Sequence, residues 1–334
     1  MAEYRIPAGV EACRRRLEGA GYPAYLVGGC VRDLLLGRTP SDYDVTTAAR
    51  PEQVMALFDR TVPTGVKHGT VTVLTEDGPV EVTTFRREGG YADGRHPDGV
   101  SFDAGLAEDL ARRDFTINAM AMDGAGDVTD LWGGRADLAA GIIRCVGEAD
   151  ARFAEDALRM LRAVRFAAQL GFRLEEATET ALIRNAPRAA LVSAERIRVE
   201  VEKTLLSPRP ERVGDMVRWG LLSHLWPERQ VPDLSGLGEL PAEPAARWPA
   251  FCALTGFPIT ALPVERALRM GILHPEREAV RRLALTGGEL AALGYEGAAI
   301  GAAQRRLAAR ILEHPEDNTR ERLLALLEEE TPPR

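Results

Sequence analysis

Two features within residues 24–47 have the residue types and spacing for phosphate chemistry. Asp42 and Asp44 are two residues apart, so on a strand both carboxylates would point to the same face. Two like charges held that close need a cation, and oxygen-only ligation suits Mg²⁺, which takes one or two carboxylates together with substrate phosphates. Upstream, the glycine pair Gly28-Gly29 follows an apolar run, and a glycine turn before a helix lets backbone N–H groups approach a phosphate chain. Arg32 lies one turn into that helix, so the stretch predicts strand, glycine turn, short helix and strand.

Each feature alone is common, because a Gly-Gly after a strand is usually a turn and Asp-x-Asp is usually a solvated loop edge. Together, residues 28–44 read GGCVRDLLLGRTPSDYD. This stretch resembles the signature of the nucleotidyltransferases of the DNA polymerase β superfamily, in particular the bacterial CCA-adding enzyme and poly(A) polymerase family (class II tRNA nucleotidyltransferases). The resemblance implies an α+β fold, in which a polymerase-β-like nucleotidyltransferase head with a small mixed sheet precedes an all-α neck, body and tail.

A third carboxylate follows the aspartate pair. Residues 70–75 and 80–85 alternate in polarity and are separated by a Glu-Asp-Gly turn, which predicts a β-hairpin. Glu81 lies on the second strand of this hairpin, on the opposite face from Val80 and Val82. Since an unpaired carboxylate buried in a sheet is costly, it faces either solvent or a positive partner. The resemblance implies that Glu81 is the third catalytic carboxylate.

Residues 86–101 are rich in Gly, Asp and Arg and lack periodicity, which predicts a mobile loop. By residue type alone this is a plain surface loop, whereas the resemblance implies a part in adding the terminal A. Residues 106–113 are predicted to be helical, and RRDFTINAMA at 112–121 is similar to the second motif of the family. The resemblance implies ribose and triphosphate contacts for three residues of that motif, Arg113, Asp114 and Asn118. On a helix Asp114 and Asn118 would share a face, although residue type alone also allows a helix-capping cluster.

The second informative stretch is a predicted helix from Asp150, as N-cap, to Gly171, as C-terminal stop. Four of its charged residues recur every three positions and would form one stripe: Asp156, Arg159, Arg162 and Arg165. Such a stripe is usually a solvated salt-bridge face. However, EDALR at 155–159 is similar to the EDxxR motif of the family, whose role is to read the incoming base. The resemblance therefore implies nucleotide binding by this stripe together with Glu155.

The hydrogen-bonding capacity of these side chains suits that role. Cytosine and adenine both present an amino donor beside a ring-nitrogen acceptor, so a carboxylate that accepts and a guanidinium that donates match either base. Guanine and uracil present the reverse, and Asp156 and Arg159 would leave unpaired groups facing them. Glu155, four residues before Arg159, can hold its guanidinium in place.

Composition and charge limit the remaining possibilities. A chain of 334 residues should form two or more domains, and 45% hydrophobic residues is ordinary for a globular protein. No run reaches about 18 apolar residues and no charged-then-apolar leader opens the chain, so we expect no membrane span and a cytoplasmic location. The net charge of −8 does not favour nucleic acid in general, so tRNA contacts must come from local basic stripes and no DNA partner is expected. Four widely spaced cysteines favour free thiols over a disulfide or zinc framework: Cys13, Cys30, Cys145 and Cys252.

The pattern predicts three regions. Residues 1–147 would form the head with the metal site, 148–226 a helical neck and the start of the body, and 227–334 a helical body and tail that binds tRNA. The helix at 193–206 resembles the fifth motif of the family, which implies support beneath the base-reading helix by Glu195, Arg196 and Arg198. Residues 227–249, rich in Pro, Gly and Glu, are the best linker candidate. The C-terminal part is shorter than the resemblance leads us to expect.

The predicted reaction is attack by the 3′-hydroxyl of a tRNA on the α-phosphorus of CTP or ATP, with pyrophosphate leaving. The resemblance implies that Asp42 and Asp44 hold Mg²⁺, while Glu81 helps to orient or deprotonate the hydroxyl. The triphosphate contacts would come from Gly28, Gly29 and Arg32. A pair of such ions, roughly 3.5–4 Å apart, is the usual arrangement for phosphoryl transfer.

Other functions stay open at this point. Within the class, the enzyme could add only the final A or could be a poly(A) polymerase. A catalytically silent tRNA-binding protein is disfavoured because both metal aspartates are intact. A dinucleotide-binding dehydrogenase is weaker still, because GGCVRD is not GxGxxG and Asp-x-Asp has no role there.

Overall fold

The structure, a computed structural model, describes residues 4–89, 99–228 and 230–329. The chain divides into two compact units, Met1–Ala242 and Glu243–Arg334. This division falls within the predicted linker at 227–249. The predicted domain boundaries after residues 147 and 226 stay predictions.

The first unit contains all the strands of the described chain. They are β1 Ala24–Val27, β2 Asp44–Thr47, β3 Thr61–Gly65, β4 Thr70–Thr75, β5 Gly78–Thr84, β6 Arg87–Glu88, β7 Val100–Ser101, β8 Met120–Met122, β9 Val128–Asp130, β10 Ile142–Ile143 and β11 Arg173–Leu174. Its helices are α1 Ala8–Gly19, α2 Gly29–Leu35, α3 Pro51–Leu57, α4 Leu106–Ala111, α5 Gly134–Ala140, α6 Ala149–Glu155, α7 Leu158–Leu170, α8 Glu176–Asn185, α9 Ala194–Leu205 and α10 Val213–Arg218.

Seven strands of the described chain form one mixed sheet in the order β3-β4-β5-β2-β1-β8-β9. Only β2 and β5 run parallel within it, and the other neighbours are antiparallel. The central strands are apolar and fully buried at Leu26, Val45 and Val82, which lets helices cover the sheet. α1 packs on β1 through an apolar face at Val10, Cys13 and Leu17, spaced three and four residues apart. The predicted α+β head is confirmed.

Several local predictions agree with the structure. The strand, glycine turn, short helix and strand within residues 24–47 are β1, α2 and β2, and the predicted hairpin is β4 and β5. The helix expected at 193–206 is α9, with Ser193 as its N-cap residue. All four cysteines, each within the described residues, are buried and free. Burial raises the pKa of the Cys30 thiol to about 11 and that of Cys13 to about 12.

The region around the predicted loop differs from expectation at both of its ends. β6 and β7 pair in antiparallel fashion, with Arg87 opposite Ser101, so the two ends of the segment form a short ribbon. The rest of the predicted loop, residues 90–98, lies outside the described residues. β3 and α5 were not predicted, because a half-exposed strand and a helix of seven residues give little periodic signal.

Two predicted helices are wrong in their extent. The helix expected through residues 106–113 ends at Ala111, and the second motif does not continue it. Phe115 is extended, with φ −126° and ψ 150°, a 3₁₀ turn covers Thr116–Asn118, and β8 follows. The helix expected from 150 to 171 is two helices, α6 and α7, because Asp156 adopts an extended conformation with φ −140° and ψ 106°. Its predicted N-cap is also wrong, since α6 begins at Ala149 after Glu148.

Beyond α6 the first unit is helical except for β11, which pairs in parallel with β10. In its described residues the second unit contains helices and no strands, as predicted. Its helices are α11 Pro244–Thr255, α12 Arg266–Leu273, α13 Pro275–Arg282, α14 Gly287–Ala292, α15 Ala298–Glu313 and α16 Arg320–Glu329. It has its own apolar core, in which Leu290 and Leu323 are fully buried. Throughout the described part of the chain, every helix is too short or too polar to span a bilayer.

Candidate active site

The three predicted catalytic carboxylates meet at the parallel pair of strands. Asp44 opens β2 and lies directly opposite Glu81 of β5. Asp42 lies in a bend before β2, so the prediction that one strand carries both aspartates is wrong in that detail. The buried Tyr43 between them nevertheless alternates with exposed Asp42 and half-buried Asp44, so both carboxylates point away from the core. β-sheet register therefore places Asp44 and Glu81 together, although they are far apart in the sequence.

The electrostatics of Asp44 show how closely these groups interact. Burial, together with the neighbouring charges of Glu81 and Asp42, raises the pKa of Asp44 to about 6, against the opposing effect of Arg113. A carboxylate with this pKa is part of an accumulation of negative charge. Such a group is stabilised when a cation or a cationic side chain comes close.

The glycine turn lies against Asp44. Val27 pairs with Asp44 across β1 and β2, so Gly28 follows at the end of the same pair of strands. Gly28 has φ 76° and ψ −133°, a conformation that side chains rarely adopt. A Cβ atom at Gly28 would lie 3.0 Å from Nη1 of Arg113 and 3.8 Å from Oδ2 of Asp44. The turn, the carboxylate and Arg113 therefore border one space.

Arg113 is held there by a residue that the sequence patterns did not single out. Asp109, with 0% of its surface exposed, lies 3.3 Å from Nη2 of Arg113 and 2.7 Å from Nη2 of Arg112. Thr46 of β2 also donates its hydroxyl to Asp109 at 3.2 Å. Burial opposes ionisation of Asp109, but Arg112 and Arg113 lower its pKa. The spacing of Asp109 three and four residues before two arginines was the available signal.

Within the described residues, the buried Nε of Arg113 has no hydrogen-bond partner. Buried polar atoms without partners are uncommon in folded proteins, but the Nε atoms of Arg152, Arg188 and Arg212 also lack one, so this donor alone does not indicate a ligand. The atom of Arg113 that borders the Gly28 turn is Nη1, and an anionic group near Gly28 would meet this atom. Arg113 therefore fits the phosphate contact that the sequence predicted.

A chain of polar contacts links α2 to α7. Arg32 donates from Nη1 to Oδ1 of Asn118 at 2.8 Å, and Asn118 donates to Asp114 at 3.2 Å. Asp114 in turn pairs with Arg162 at 2.6 Å. The predicted contact between Asp114 and Asn118 therefore exists, although the 3₁₀ turn rather than a helix produces it. Burial alone would raise the pKa of Asp114, but the charge and hydrogen bond of Arg162, together with Arg159 and Asn118, outweigh burial and lower it to about 2.

The ring of Phe166 lies at the α7 end of this chain, and the sequence patterns did not assign it a role. The guanidinium carbons of Arg32 and Arg162 each lie 5.3 Å from its ring centre, and that of Arg165 lies 4.0 Å away. An aromatic face attracts cations at these distances. The ring therefore helps to hold three of the predicted nucleotide-binding arginines.

The EDxxR residues do not form the predicted stripe. Because Asp156 interrupts the helix, its Oδ1 accepts the backbone N–H of Leu158 at 3.0 Å, and its Oδ2 pairs with Arg196 of α9 at 2.8 Å. Arg159 instead pairs with Glu155 at 2.6 Å, as predicted, and donates to the carbonyl of Arg112 at 2.9 Å.

Arg165 lies apart from these residues, since its Nε pairs with Glu200 of α9 at 2.5 Å and both side chains are buried. Of the three residues predicted to brace the base-reading helix, Arg196 contacts it, whereas Arg198 pairs with Glu202 on its own helix. Glu200 of α9 also contacts α7 through Arg165, and the sequence patterns did not identify it.

The carboxylates at the turn suit a metal ion only in combination with substrate. Within the described residues, no group of three or more His, Cys, Asp or Glu side chains is arranged to hold one. Mg²⁺-type sites need only one or two carboxylates when substrate phosphates complete the coordination. Asp42 and Asp44 supply that number, and Glu81 adds a further carboxylate opposite Asp44. The donor set therefore fits a divalent cation bound together with a phosphate chain.

Comparison with known proteins supports the same class. Residues 24–144 match the family model of the poly A polymerase head domain, and residues 171–231 match that of the probable RNA- and SrmB-binding site of polymerase A. The fold and the site thus define a nucleotidyltransferase head joined to a helical region.

Individual relatives narrow this class. The chain is 53% identical to the CCA-adding enzyme of Lactiplantibacillus plantarum over 209 residues, which is 62% of this chain and 51% of that protein. It resembles the crystal structure of the Bacillus stearothermophilus CCA-adding enzyme in complex with CTP, with a TM-score of 0.72 and 38% identity over 90% of this chain and 77% of the other. A tRNA nucleotidyltransferase complexed with a primer tRNA and an incoming ATP analogue matches with a TM-score of 0.54 and 30% identity, over 63% of this chain and 61% of the other.

The chain therefore belongs to the CCA-adding enzyme family, the class II tRNA nucleotidyltransferases. It spans between half and three fifths of the length of the first curated relatives that it matches. Nucleotidyltransferases of this family use a divalent metal ion.

Proposed function

We propose that this protein adds C, C and A to the 3′ ends of tRNA from CTP and ATP without a nucleic-acid template. The observation that carries this proposal is the meeting of Asp44, Glu81 and Arg113 at the Gly28 turn. Two strands that each present a carboxylate beside a glycine turn suit attack by a hydroxyl on a nucleoside triphosphate. The complexes of the relatives with CTP, with a primer tRNA and with an ATP analogue support these substrates.

The acidic residues of the site would bind the metal and the tRNA hydroxyl, and the glycine turn and arginines would bind the triphosphate. Asp42 and Asp44 would hold the metal, for which we propose Mg²⁺ because the ligands are all oxygens. When bound, the metal would offset negative charge on the phosphates. Glu81, exposed opposite Asp44, would orient the tRNA 3′-hydroxyl or accept its proton. The triphosphate would be bound by the backbone of Gly28 and Gly29 and by the guanidinium groups of Arg32 and Arg113.

The residues around the second motif and the neck would fix the rest of the nucleotide. We infer that Asn118 and Asp114 set the position of Arg32 near the ribose and triphosphate, because a chain of hydrogen bonds joins them. Arg162 would anchor this chain through Asp114. Arg165, buried against Glu200, would contribute by orienting α7.

Base choice would come from Asp156 and Arg159, with Glu155 orienting the guanidinium. A carboxylate accepts and a guanidinium donates, which matches cytosine and adenine but not guanine or uracil. The ion pair between Arg196 and Asp156 fixes the position of this carboxylate. The 86–101 segment would take part in the addition of A.

We also propose the predicted division into a head at residues 1–147, a helical neck and body start at 148–226, and a helical tRNA-binding body and tail at 227–334. A cytoplasmic location follows from the proposed tRNA substrate. The match of residues 171–231 to an RNA-binding family model supports RNA contact beyond the head.

One experiment separates the proposed products. Transcribed tRNAs that end before the first C, after CC and after CCA are incubated with CTP, ATP or both, and product lengths are read on a sequencing gel. We expect extension to CCA and no further. Addition of A alone would indicate an A-adding enzyme, and a long A tail would indicate a poly(A) polymerase.

The metal assignment is tested in the same assay. Asp42→Ala or Asp44→Ala should abolish addition while the dissociation constant for tRNA stays near that of wild type, because these carboxylates serve phosphoryl transfer. Asp59→Asn is the matched control, since Asp59 is an exposed aspartate of the same unit outside the site. Normal turnover by either alanine variant would contradict the proposed chemistry.

A further inference from the structure

Arg152 of α6 is absent from the predicted nucleotide-binding residues, yet its side chain contacts two elements that carry them. Its Nη1 donates to the carbonyl oxygen of Ala111 in α4 at 3.2 Å. Its Nη2 pairs with Oε1 of Glu155 at 2.5 Å, and 19% of the side chain is exposed. The two ends of one guanidinium group therefore join α4 to the last residue of α6.

Arg159 repeats this arrangement on the other oxygen of the same carboxylate. Its Nη1 pairs with Oε2 of Glu155 at 2.6 Å, and its Nη2 donates to the carbonyl oxygen of Arg112 at 2.9 Å. Glu155 thus binds two guanidinium groups at once, and each of them contacts one of two consecutive carbonyl groups. We call this arrangement the arginine clasp, formed by Arg152, Glu155 and Arg159 with the carbonyl groups of Ala111 and Arg112.

The two carbonyl groups of the arginine clasp lie at the C-terminal end of α4. Ala111 is the last residue of that helix and Arg112 is its C-cap residue. Carbonyl groups in the last turn of a helix lack partners within the helix, and cationic side chains near them are favourable. The arginine clasp therefore fixes the end of α4 from α6 and α7.

The next residue of the chain after the arginine clasp is Arg113, which borders the glycine turn. Its Nη1 would lie 3.0 Å from a Cβ atom at Gly28. On the other side of the clasp, Asp109 of α4 accepts a hydrogen bond from Thr46 of β2 at 3.2 Å, which holds α4 on the sheet. Arg112 and Arg113 share a peptide bond, so a displacement of the Arg112 carbonyl moves the backbone of Arg113 directly.

We propose that Arg152 is a positioning residue that couples recognition of the base to binding of the phosphates. This inference rests on the proposed function, in which Arg159 meets the base and Arg113 meets the triphosphate. A base that suits Arg159 leaves the arginine clasp intact, so Arg113 keeps its place. A base that displaces Arg159 opens the clasp and shifts Arg113, so the wrong nucleotide loses phosphate contacts as well as base contacts.

Arg152 matters to this coupling because it supports both halves of the clasp. Without its guanidinium group, Oε1 of Glu155 and the carbonyl of Ala111 would each lose this cationic partner. The carboxylate would then be held from one side only, which loosens its hold on Arg159. The end of α4 would be fixed by one guanidinium group instead of two, which loosens the backbone before Arg113.

The test compares Arg152→Gln in the full chain with wild type for three ligands: CTP, UTP and inorganic tripolyphosphate. Tripolyphosphate carries the phosphates without a base, so it reports on Arg113 and the glycine turn. Dissociation constants are measured by isothermal titration at one fixed magnesium concentration, after circular dichroism has established that each variant is folded. Arg188→Gln is the matched control, since Arg188 is also a half-buried arginine that donates to a carbonyl, that of Ala154 in α6 rather than one in α4.

Arg152→Gln should bind tripolyphosphate roughly fivefold more weakly or worse, although Arg152 is not a proposed phosphate ligand. The preference for CTP over UTP should fall by a similar factor, which is the lower end of typical coupling between two sites. Arg152→Lys should restore part of both effects, because it keeps the charge beside Glu155 but lacks the planar group that bonds two partners at once. If Arg152→Gln does not fold, Arg152→Lys carries the same measurements. Arg188→Gln should behave like wild type.

Four results would overturn the proposal. The first is a lower preference for CTP with unchanged tripolyphosphate affinity, which would confine Arg152 to base reading. The second is weaker tripolyphosphate binding with an unchanged preference for CTP. The third is wild-type affinity for all three ligands, and the fourth is an equal loss in Arg188→Gln, which would reveal a general loosening of α6. A wild-type protein without any preference for CTP over UTP would refute the proposed base reading and the coupling together, whereas any of the four results in a protein that prefers CTP refutes the coupling alone.

Discussion

At the candidate site, the backbone conformation of Gly28 disfavours any residue with a side chain, whereas that of Gly29 does not. Gly28 has φ 76° and ψ −133°, a region that costs a residue with a side chain about 1–3 kcal/mol. Alanine also lowers the conformational entropy of the unfolded chain, which offsets about 0.4–1 kcal/mol of that cost. We therefore expect Gly28→Ala to destabilise the first unit by about 1–2 kcal/mol. Gly29 opens α2 without a positive φ, and Gly29→Ala should leave stability near that of wild type.

The functional effect of Gly28→Ala should be larger than this stability cost. The new Cβ would lie 3.0 Å from Nη1 of Arg113, so the guanidinium must move by a few tenths of an ångström. A flexible side chain makes that shift inexpensive for folding. It nevertheless displaces the guanidinium that we propose to bind phosphate, so its hydrogen bond to phosphate should be lost. Such a bond contributes about 1.5–3 kcal/mol when a charged group takes part, so CTP affinity should fall roughly tenfold to a hundredfold.

Gly21→Ala provides the control for strain. Gly21 also has a positive φ, of 86°, but a Cβ atom there would meet nothing within 4 Å. We expect a similar fall in the thermal midpoint with an unchanged dissociation constant for CTP by isothermal titration. If Gly28→Ala binds CTP as wild type does, the turn and Arg113 do not border a phosphate site. If Gly21→Ala loses CTP affinity equally, general destabilisation explains the effect.

Two further predictions concern charged side chains. Asp156→Asn should lower the ratio of kcat/KM for CTP over UTP by roughly tenfold to a hundredfold, since each mispaired buried group costs about 1–3 kcal/mol; an unchanged ratio would mean that this residue does not read the base. The pKa of Asp114 is lowered from 3.8 to about 2, so its ionisation contributes roughly 2–3 kcal/mol of stability above pH 4 that is lost as the pH falls toward 2. The free energy of unfolding of wild type should therefore exceed that of Asp114→Asn at pH 6, and the difference should shrink steadily between pH 4 and pH 2; a difference that does not change with pH would refute the charge-based account.

The parts of the fold that could be predicted from the sequence are those with local causes. Gly28 marked a turn because a positive φ favours glycine, and Asp42 and Asp44 stood out by their spacing. The hairpin of β4 and β5 followed from alternation and a short turn. The predicted contact between Glu155 and Arg159 is present because four residues bring side chains together across the junction of α6 and α7.

The parts that could not be predicted depend on pairing between distant residues. Nothing in the local sequence indicates that Asp44 lies opposite Glu81, because β2 and β5 become neighbours only when the sheet forms. The same holds for Arg165 and Glu200, which are 35 residues apart and are both buried. A stripe of arginines at regular spacing therefore suggested a solvated face, whereas the structure uses these residues as interior contacts.

The break at Asp156 shows why a regular helical pattern was the wrong interpretation of the EDxxR motif. An extended Asp156 ends α6 and starts α7, and its carboxylate both accepts the N–H of Leu158 and pairs with Arg196. An uninterrupted helix would already bond that N–H to the carbonyl of Ala154. Glu155, the last residue of α6, pairs with Arg152 of its own helix at 2.5 Å and with Arg159 of α7 at 2.6 Å. Adjacent acidic residues thus pair with different arginines: Asp156 is held by Arg196 of α9, a contact between distant residues, whereas Arg159 is held by Glu155, four residues before it.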